Sequence, residues 1–136
     1  MKIMAAGCQR RIYSIYLNRF SQAPKALDIE YNLAEAGFKG DNLVRAGMQY
    51  ERLAKDKRLV KRSGVFKESA IESYTKALQK ADALTLVDRI RARHGLRDVG
   101  GEWVKANPRA PGAAAASFNI ANSWYEERNL KKAIEA

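Results

Sequence analysis

Two clusters of basic side chains are the part of this sequence whose residue types and spacing could do chemistry. The first cluster comprises Lys55, Lys57, Arg58, Lys61 and Arg62. The second comprises Arg89, Arg91, Arg93 and Arg97, with His94 among them. Such side chains bind carboxylates and phosphates, so either cluster could contact an acidic protein, a nucleic-acid backbone or an anionic lipid surface. A solvated helix edge gives the same pattern, and no reader motif for nucleic acid accompanies either cluster.

Most other reactive sites are excluded by composition. His94 is the only histidine and Cys8 the only cysteine, which rules out an intrachain disulfide, a His-rich zinc site and a Cys/His finger. The phosphate-binding patterns GxxxxGK[ST] and GxGxxG are absent, as is the nucleophile pattern GxSxG. We therefore expect no metal, no cofactor and no enzymatic activity.

Length and composition predict one globular domain over residues 1–136. The chain is 46% hydrophobic with a net charge of +10, and it contains no uncharged apolar run of the roughly 20 residues that a membrane-spanning helix needs. A single cysteine fits a reducing compartment, so we expect a cytoplasmic protein. The alternative is mitochondrial, because residues 1–27 are basic, free of acidic residues and amphipathic.

Apolar residues recur at spacings of three and four along most of the chain, and no period-two alternation persists, so the predicted fold class is all-α. We expect N-terminal helices within 1–40, the second over 25–38. A long helix should start at Asn42, capped by Asp41, and end at Ser63-Gly64. The following helix should run from near Phe66 to about Ala83.

The second half of the chain is predicted to be less regular. Residues 84–112 should form an irregular connection, interrupted at Gly95 and at Gly100-Gly101 and closed by the Pro- and Gly-rich linker 107–112. A final long helix should start in the alanine run at 113–116 and reach Glu127 or Arg128. A further helix should begin at Leu130.

Two segments of the sequence show the same order of features. In 41–83, Gly47 precedes Tyr50 by three residues, and Ala70-Ile71-Glu72 follows after a turn. In 113–136, Ala121 and Trp124 have the same spacing, and Ala133-Ile134-Glu135 follows. A small residue on each helix lets two helices pack closely, and the aromatic residue fills the space beside that contact.

In these features the chain resembles the tetratricopeptide repeat family, although the repeats are degenerate and cover about half of the chain. The resemblance implies antiparallel helical hairpins stacked as a short α-solenoid, with a first hairpin over 41–83 and a second, truncated hairpin over 113–136. It also implies a concave groove that holds an extended segment of a partner protein. The function expected on this basis is that of an adaptor or complex subunit.

By family offset, ligand contacts would come from the first helix of each hairpin. In the last hairpin these residues are Phe118, Asn122, Tyr125 and Glu126, and in the earlier one Arg45, Met48 and Arg52. Asn122 is the strongest candidate, because a side-chain amide both donates to and accepts from a peptide backbone. The arginines favour a partner with acidic character.

Arg89 and His94 give the spacing R-x-x-x-x-H, which resembles the motif of the all-helical HEPN ribonucleases. That resemblance implies His94 as general acid or base and Arg89 as the group that stabilises phosphate charge. Ile90 departs from the motif, where a polar residue usually follows the arginine. A third interpretation of the basic clusters is a helical nucleic-acid-binding protein or ribonucleoprotein subunit.

The last predicted helix has only about seven residues before Ala136, whereas terminal repeats normally end in a polar capping helix. We therefore expect a second copy of this chain, a partner or a longer parent protein to cover the C-terminal end.

Overall fold

The computed structural model describes residues 11, 12, 15, 19, 26–40 and 42–127. Within these residues all regular structure is helical and no strand is present, which confirms the all-α prediction. The helices are α1 (Ala26–Lys39), α2 (Leu43–Lys55), α3 (Ser63–Gln79), α4 (Leu86–Ala106) and α5 (Ala113–Glu126). Short 3₁₀ helices at Lys57–Arg62 and Ala81–Ala83 flank α3. The predicted Asp41 cap and the predicted helix from Leu130 lie outside the described residues.

Each helix packs on its neighbours in sequence, with the most extensive contact between α2 and α3. The connections are short, so neighbouring helices run antiparallel. Consequently α2 and α4 run in the same direction. Both pack on α3, and they also contact each other directly. The core between these helices contains Leu53, Phe66, Tyr74 and Leu96, each at most 2% exposed.

The centre of the core is a tyrosine ring between two glycines. A Cβ placed on Gly47 of α2 would lie 2.5 Å from the Tyr74 ring, and one on Gly95 of α4 would lie 2.3 Å from it. Any side chain at either position would therefore overlap the ring. The two glycines let α2 and α4 approach the same residue of α3 from both sides.

Ser63-Gly64 does not end a helix, as the sequence predicted, but begins α3. The chain leaves α2 at Asp56, whose carboxylate accepts a hydrogen bond from the Arg58 backbone N–H. The Ser63 hydroxyl then donates to the carbonyl of Ala54 at 2.8 Å. This bond joins the start of α3 to the end of α2. Ser63, which the sequence predicted to end a helix, therefore stabilises the junction between two helices.

The predicted irregular connection over 84–112, interrupted at Gly95 and Gly100-Gly101, is wrong for residues 86–106, because α4 is one continuous helix of 21 residues there. Thr85 caps it by accepting a hydrogen bond from the Asp88 backbone N–H. Glycine costs about 1 kcal/mol in a helix interior, but tertiary packing outweighs such a cost. Gly95 and Gly100 face the core, where Tyr74 and the Ile120 side chain lie against them.

The final helix begins at Ala113 as predicted and follows a turn over 107–112. It packs on α4 through Ala116, Ile120 and Ser123. The proposed contact between Ala121 and Ala133 stays a prediction, because Ala133 lies outside the described residues.

Candidate functional site

A groove between α2 and α4 brings together several residues that the sequence had placed in separate groups. It encloses about 430 Å³. We call it the α2–α4 groove, and its lining residues are Met48, Glu51, Arg52, Lys55, Tyr74, Arg91, His94, Gly95 and Asp98. The four residues from α2 and the four from α4 share one spacing, i, i+3, i+4 and i+7, which places each set on one helix face. Because the two helices are parallel, the two sets face each other along the groove.

Tyr74 forms the floor of this groove. Its ring is 1% exposed, and its hydroxyl donates a hydrogen bond to the Glu51 carboxylate. Burial raises the pKa of Tyr74, and the bond to Glu51 raises it further, so the phenol stays a donor. Burial also raises the pKa of Glu51, although the Tyr74 hydrogen bond and the Lys55 charge oppose that rise. The floor is therefore a hydrogen-bonded pair of polar groups beneath more exposed cationic side chains.

Among the described residues, each cation of the groove is itself exposed and pairs with one carboxylate of the chain. Arg52 lies 3.5 Å from Glu30 of α1, Lys55 3.9 Å from Glu51, and Arg91 3.9 Å from Asp88. Their side chains are 67%, 72% and 56% exposed, respectively. Because the three cationic side chains remain largely in water, an external carboxylate or phosphate can reach them.

The structure thus groups Met48 and Arg52, predicted as partner contacts, with Lys55 and Arg91, predicted as anion contacts. Arg45 is exposed one turn before Met48 on α2 and does not line the groove.

The predicted contacts on α5 do not join this groove. Asn122 and Glu126 line a second groove, between α3 and α5, where the Asn122 amide donates to the Glu126 carboxylate at 3.2 Å. Phe118 and Tyr125 are 69% and 62% exposed and line neither groove.

The first basic cluster lies on the 3₁₀ helix Lys57–Arg62 and the end of α2. Arg58 is paired with Asp56 at 2.9 Å, and the Arg62 guanidinium stacks over the rings of Tyr31 and Phe66. Lys57 and Lys61 are exposed and have no carboxylate within 4 Å among the described residues. These two lysines are the freest cations of the cluster.

The second basic cluster is divided among several contacts. Arg93 pairs with Glu126 at 3.3 Å, and Arg97 pairs with Glu127 and stacks on Trp124. Arg89 donates to the carbonyl of Leu84. Arg93 and Arg97 thus attach α4 to α5 and its end, and Arg91 is the arginine of this cluster that lines the α2–α4 groove.

Arg89 and His94 line different grooves. Five residues apart on one helix, they point about 140° from each other. The two side chains therefore open onto different grooves, and the ribonuclease interpretation stays a prediction.

Sequence reasoning missed four groove residues, Glu51, Tyr74, Gly95 and Asp98. The signal that could have found them is the glycine in the middle of each helical pattern, Gly47 and Gly95. An isolated glycine inside a helix usually has a packing reason, and here that reason is Tyr74.

The fold and grooves define an all-α protein built of consecutively packed antiparallel helices. Comparison of the chain with protein-family models, with curated proteins and with solved structures finds no match in any of the three. Among the described residues, no group of histidine, cysteine or carboxylate side chains could hold a metal ion. Within the same residues no helix has both the length and the apolar character to cross a membrane.

Proposed function

We propose that this protein is a protein-interaction module of the tetratricopeptide-like kind, an adaptor or complex subunit. Its α2–α4 groove holds an extended, acidic segment of a partner protein. The observation behind the proposal is the convergence of Met48, Arg52, Lys55 and Arg91 on one groove. These residues come from the parallel helices α2 and α4. The family resemblance expects ligand contacts on α2 and α5, so it supports the α2 side of this groove, and the α4 side rests on the geometry alone.

The chemistry of the groove supports an acidic partner. Three exposed cations surround it, and its two carboxylates have different roles. Glu51 is bound by Tyr74 at the floor, whereas Asp98 is exposed at one end. Met48 is 38% exposed and adds an apolar surface for a partner side chain. An extended acidic segment could therefore place carboxylates against Arg52 and Arg91.

Affinity capture from cell extract with matched charge variants tests this proposal. The variant Arg52→Glu/Arg91→Glu reverses two groove cations. Lys105→Glu/Arg109→Glu makes the same charge change at exposed positions outside the groove. We expect the groove variant to lose nuclease-resistant partners at least tenfold while the control retains them. Equal loss in both variants, or in neither, would contradict the α2–α4 groove as the site.

A second candidate function is nucleic-acid binding, favoured by the exposed Lys57 and Lys61 on the 3₁₀ helix. In this case nuclease treatment should abolish capture, and Lys57→Glu/Lys61→Glu should weaken binding to a mixed-sequence RNA. The affinity should also fall steeply with salt, because phosphate contacts release counterions. Capture that is resistant to nuclease and affinity that does not change with salt would exclude this alternative.

A further inference from the structure

The groove between α3 and α5 is larger than the α2–α4 groove and has different chemistry. Its wide end encloses about 570 Å³, within the range of roughly 300–1,000 Å³ that is typical of ligand sites. Trp103 of α4 lies at this end, beside Ile71, Pro111 and Ala116. A narrower end of about 240 Å³ shares Thr75, Gln79 and Asn119 with it, so the two ends form one channel. We call this channel the α3–α5 groove.

Hydrogen-bonding groups line the middle of the α3–α5 groove. Gln79 and Asn119 lie where its two ends meet, and Asn122 lies at the narrow end. The Thr75 hydroxyl is buried there and has no hydrogen-bond partner among the described residues. Because amides and hydroxyls both donate and accept, this surface suits a peptide backbone, which offers both kinds of group.

The rim of the wide end is acidic on a chain whose net charge is +10. Glu68 and Glu72 lie one helical turn apart on α3. Lys76, which also lines this end, pairs with Glu72 at 3.4 Å and lies over the Phe38 ring, so the unpaired negative charge of the rim is that of Glu68. Glu68 has no ion pair among the described residues. The rim therefore favours a cationic side chain.

We propose that the α3–α5 groove is a second binding site, which takes an extended peptide segment with a lysine or arginine next to a bulky apolar side chain. The apolar side chain rests against Trp103 and Ile71, and the cation lies beside Glu68 and Glu72. Gln79 and Asn119 bind the backbone. This site is separate from the α2–α4 groove and prefers the opposite charge.

Titration of ¹⁵N-labelled full-length protein with defined peptides tests the proposal. The first probe is a heptapeptide with one phenylalanine between two lysines in a serine–glycine background. The second has glutamates in place of the lysines. The Trp124→Phe variant assigns the two indole N–H signals. We expect the lysine probe to shift the Trp103 signal saturably and to bind about tenfold more tightly than the glutamate probe. Tenfold corresponds to about 1.4 kcal/mol.

Two variants make the result decisive. Glu68→Lys/Glu72→Lys should reverse the preference between the probes. Arg52→Glu/Arg91→Glu should leave both titrations unchanged, so failure of the α2–α4 proposal would be distinguishable from failure of this one. The absence of any Trp103 shift at millimolar peptide overturns the second site. So does a shift that is the same for both probes, or a preference for the lysine probe that persists in the Glu68→Lys/Glu72→Lys variant.

Discussion

The α2–α4 and α3–α5 grooves have the same plan, since each lies between two parallel helices with the intervening helix beneath. They differ in how the gap is filled. In the α2–α4 groove, Gly47 and Gly95 let both helices close on Tyr74, which leaves a shallow, charged surface. In the α3–α5 groove, Trp103 and small residues such as Ala115 and Ala116 leave a deeper, more apolar space. Similar backbones thus give different sites because a few side chains set the depth.

Adjacent residues of α3 belong to the two grooves. Tyr74 faces α2 and α4 and is hydrogen-bonded, whereas Thr75 faces α5 and its hydroxyl is unpaired. The first groove is therefore stabilised by its own polar contacts, and the second retains unused hydrogen-bonding capacity. This difference leads us to treat them as separate sites.

The largest expected effect comes from filling the glycine space beneath the α2–α4 groove. Gly95→Ala would place a methyl group 2.3 Å from the Tyr74 ring. Overpacking of this kind costs about 1–3 kcal/mol or more, and Tyr74 is too deeply buried to move aside. We expect a net loss of about 2 kcal/mol in the free energy of unfolding, measured by urea denaturation.

Gly101→Ala is the matched control in the same helix, because a Cβ at Gly101 meets nothing within 4 Å. This change should raise stability by up to about 1 kcal/mol through helix propensity. Tyr74→Leu should partly rescue Gly95→Ala by removing the ring. If the two alanine variants were equally stable, the close packing of α2 and α4 on Tyr74 would be wrong.

A smaller effect, of opposite sign in the two grooves, is expected at Tyr74 and Thr75. Tyr74→Phe removes the hydrogen bond to the partly buried Glu51 and should cost about 1–2 kcal/mol. Thr75→Val removes an unpaired buried hydroxyl at nearly constant volume and should stabilise the free protein by up to about 1 kcal/mol. Thermal unfolding of both variants measures the difference. Destabilisation by Thr75→Val would show that its hydroxyl is already satisfied.

The smallest expected effect is on how the stability of the protein depends on pH. It concerns the α2–α4 groove alone, because the carboxyl group involved, Glu30, is the ion-pair partner of the groove residue Arg52. Arg52 is the nearest ion-pair partner of Glu30, which is 9% exposed. Burial raises the pKa of Glu30 above its ordinary value of 4.5, despite the opposing charges of Arg52 and Arg58 and with a further contribution from Asp56. Because the folded-state pKa is the higher one, stability from this group is full below pH 4.5 and is lost as pH rises through the folded-state value.

Glu30→Gln should therefore reduce the loss of stability between pH 4.5 and neutral pH, measured as melting temperature across that window. The exposed change Glu68→Gln is the control and should leave the pH profile close to that of the wild type. A Glu30→Gln profile parallel to the wild-type profile would contradict the role of burial at this carboxyl group.

Much of the fold could be predicted from local pattern. The boundaries of α1 and the start of α5 follow from helical periodicity and from the linker over 107–112, because these signals need no distant contact. The continuous α4 could not be predicted, because glycines in a sequence usually indicate the end of a helix. Gly95 and Gly100 are instead needed for packing against Tyr74 and Ile120, and these contacts exist only in the folded structure. Ser63 was misread for the same reason, because its bond to the Ala54 carbonyl depends on how α2 and α3 meet.

The sequence predicted individual residues of the candidate sites, but not how those residues are grouped. Met48, Arg52, Lys55 and Arg91 were identified as single exposed or basic residues, but their grouping requires α2 and α4 to be parallel neighbours. Asn122 was predicted to bind a partner together with α2, whereas it lies in the α3–α5 groove.

By itself the sequence determined the helical class, the net positive charge and the lack of ordinary catalytic motifs, because each follows from residue type and short-range spacing. The tertiary structure alone decided which helix faces meet, and hence that two grooves of unlike chemistry lie on one chain. The physical reason is that a groove depends on the close packing of residues distant in sequence, such as Gly47, Tyr74 and Gly95, and no local pattern encodes that packing.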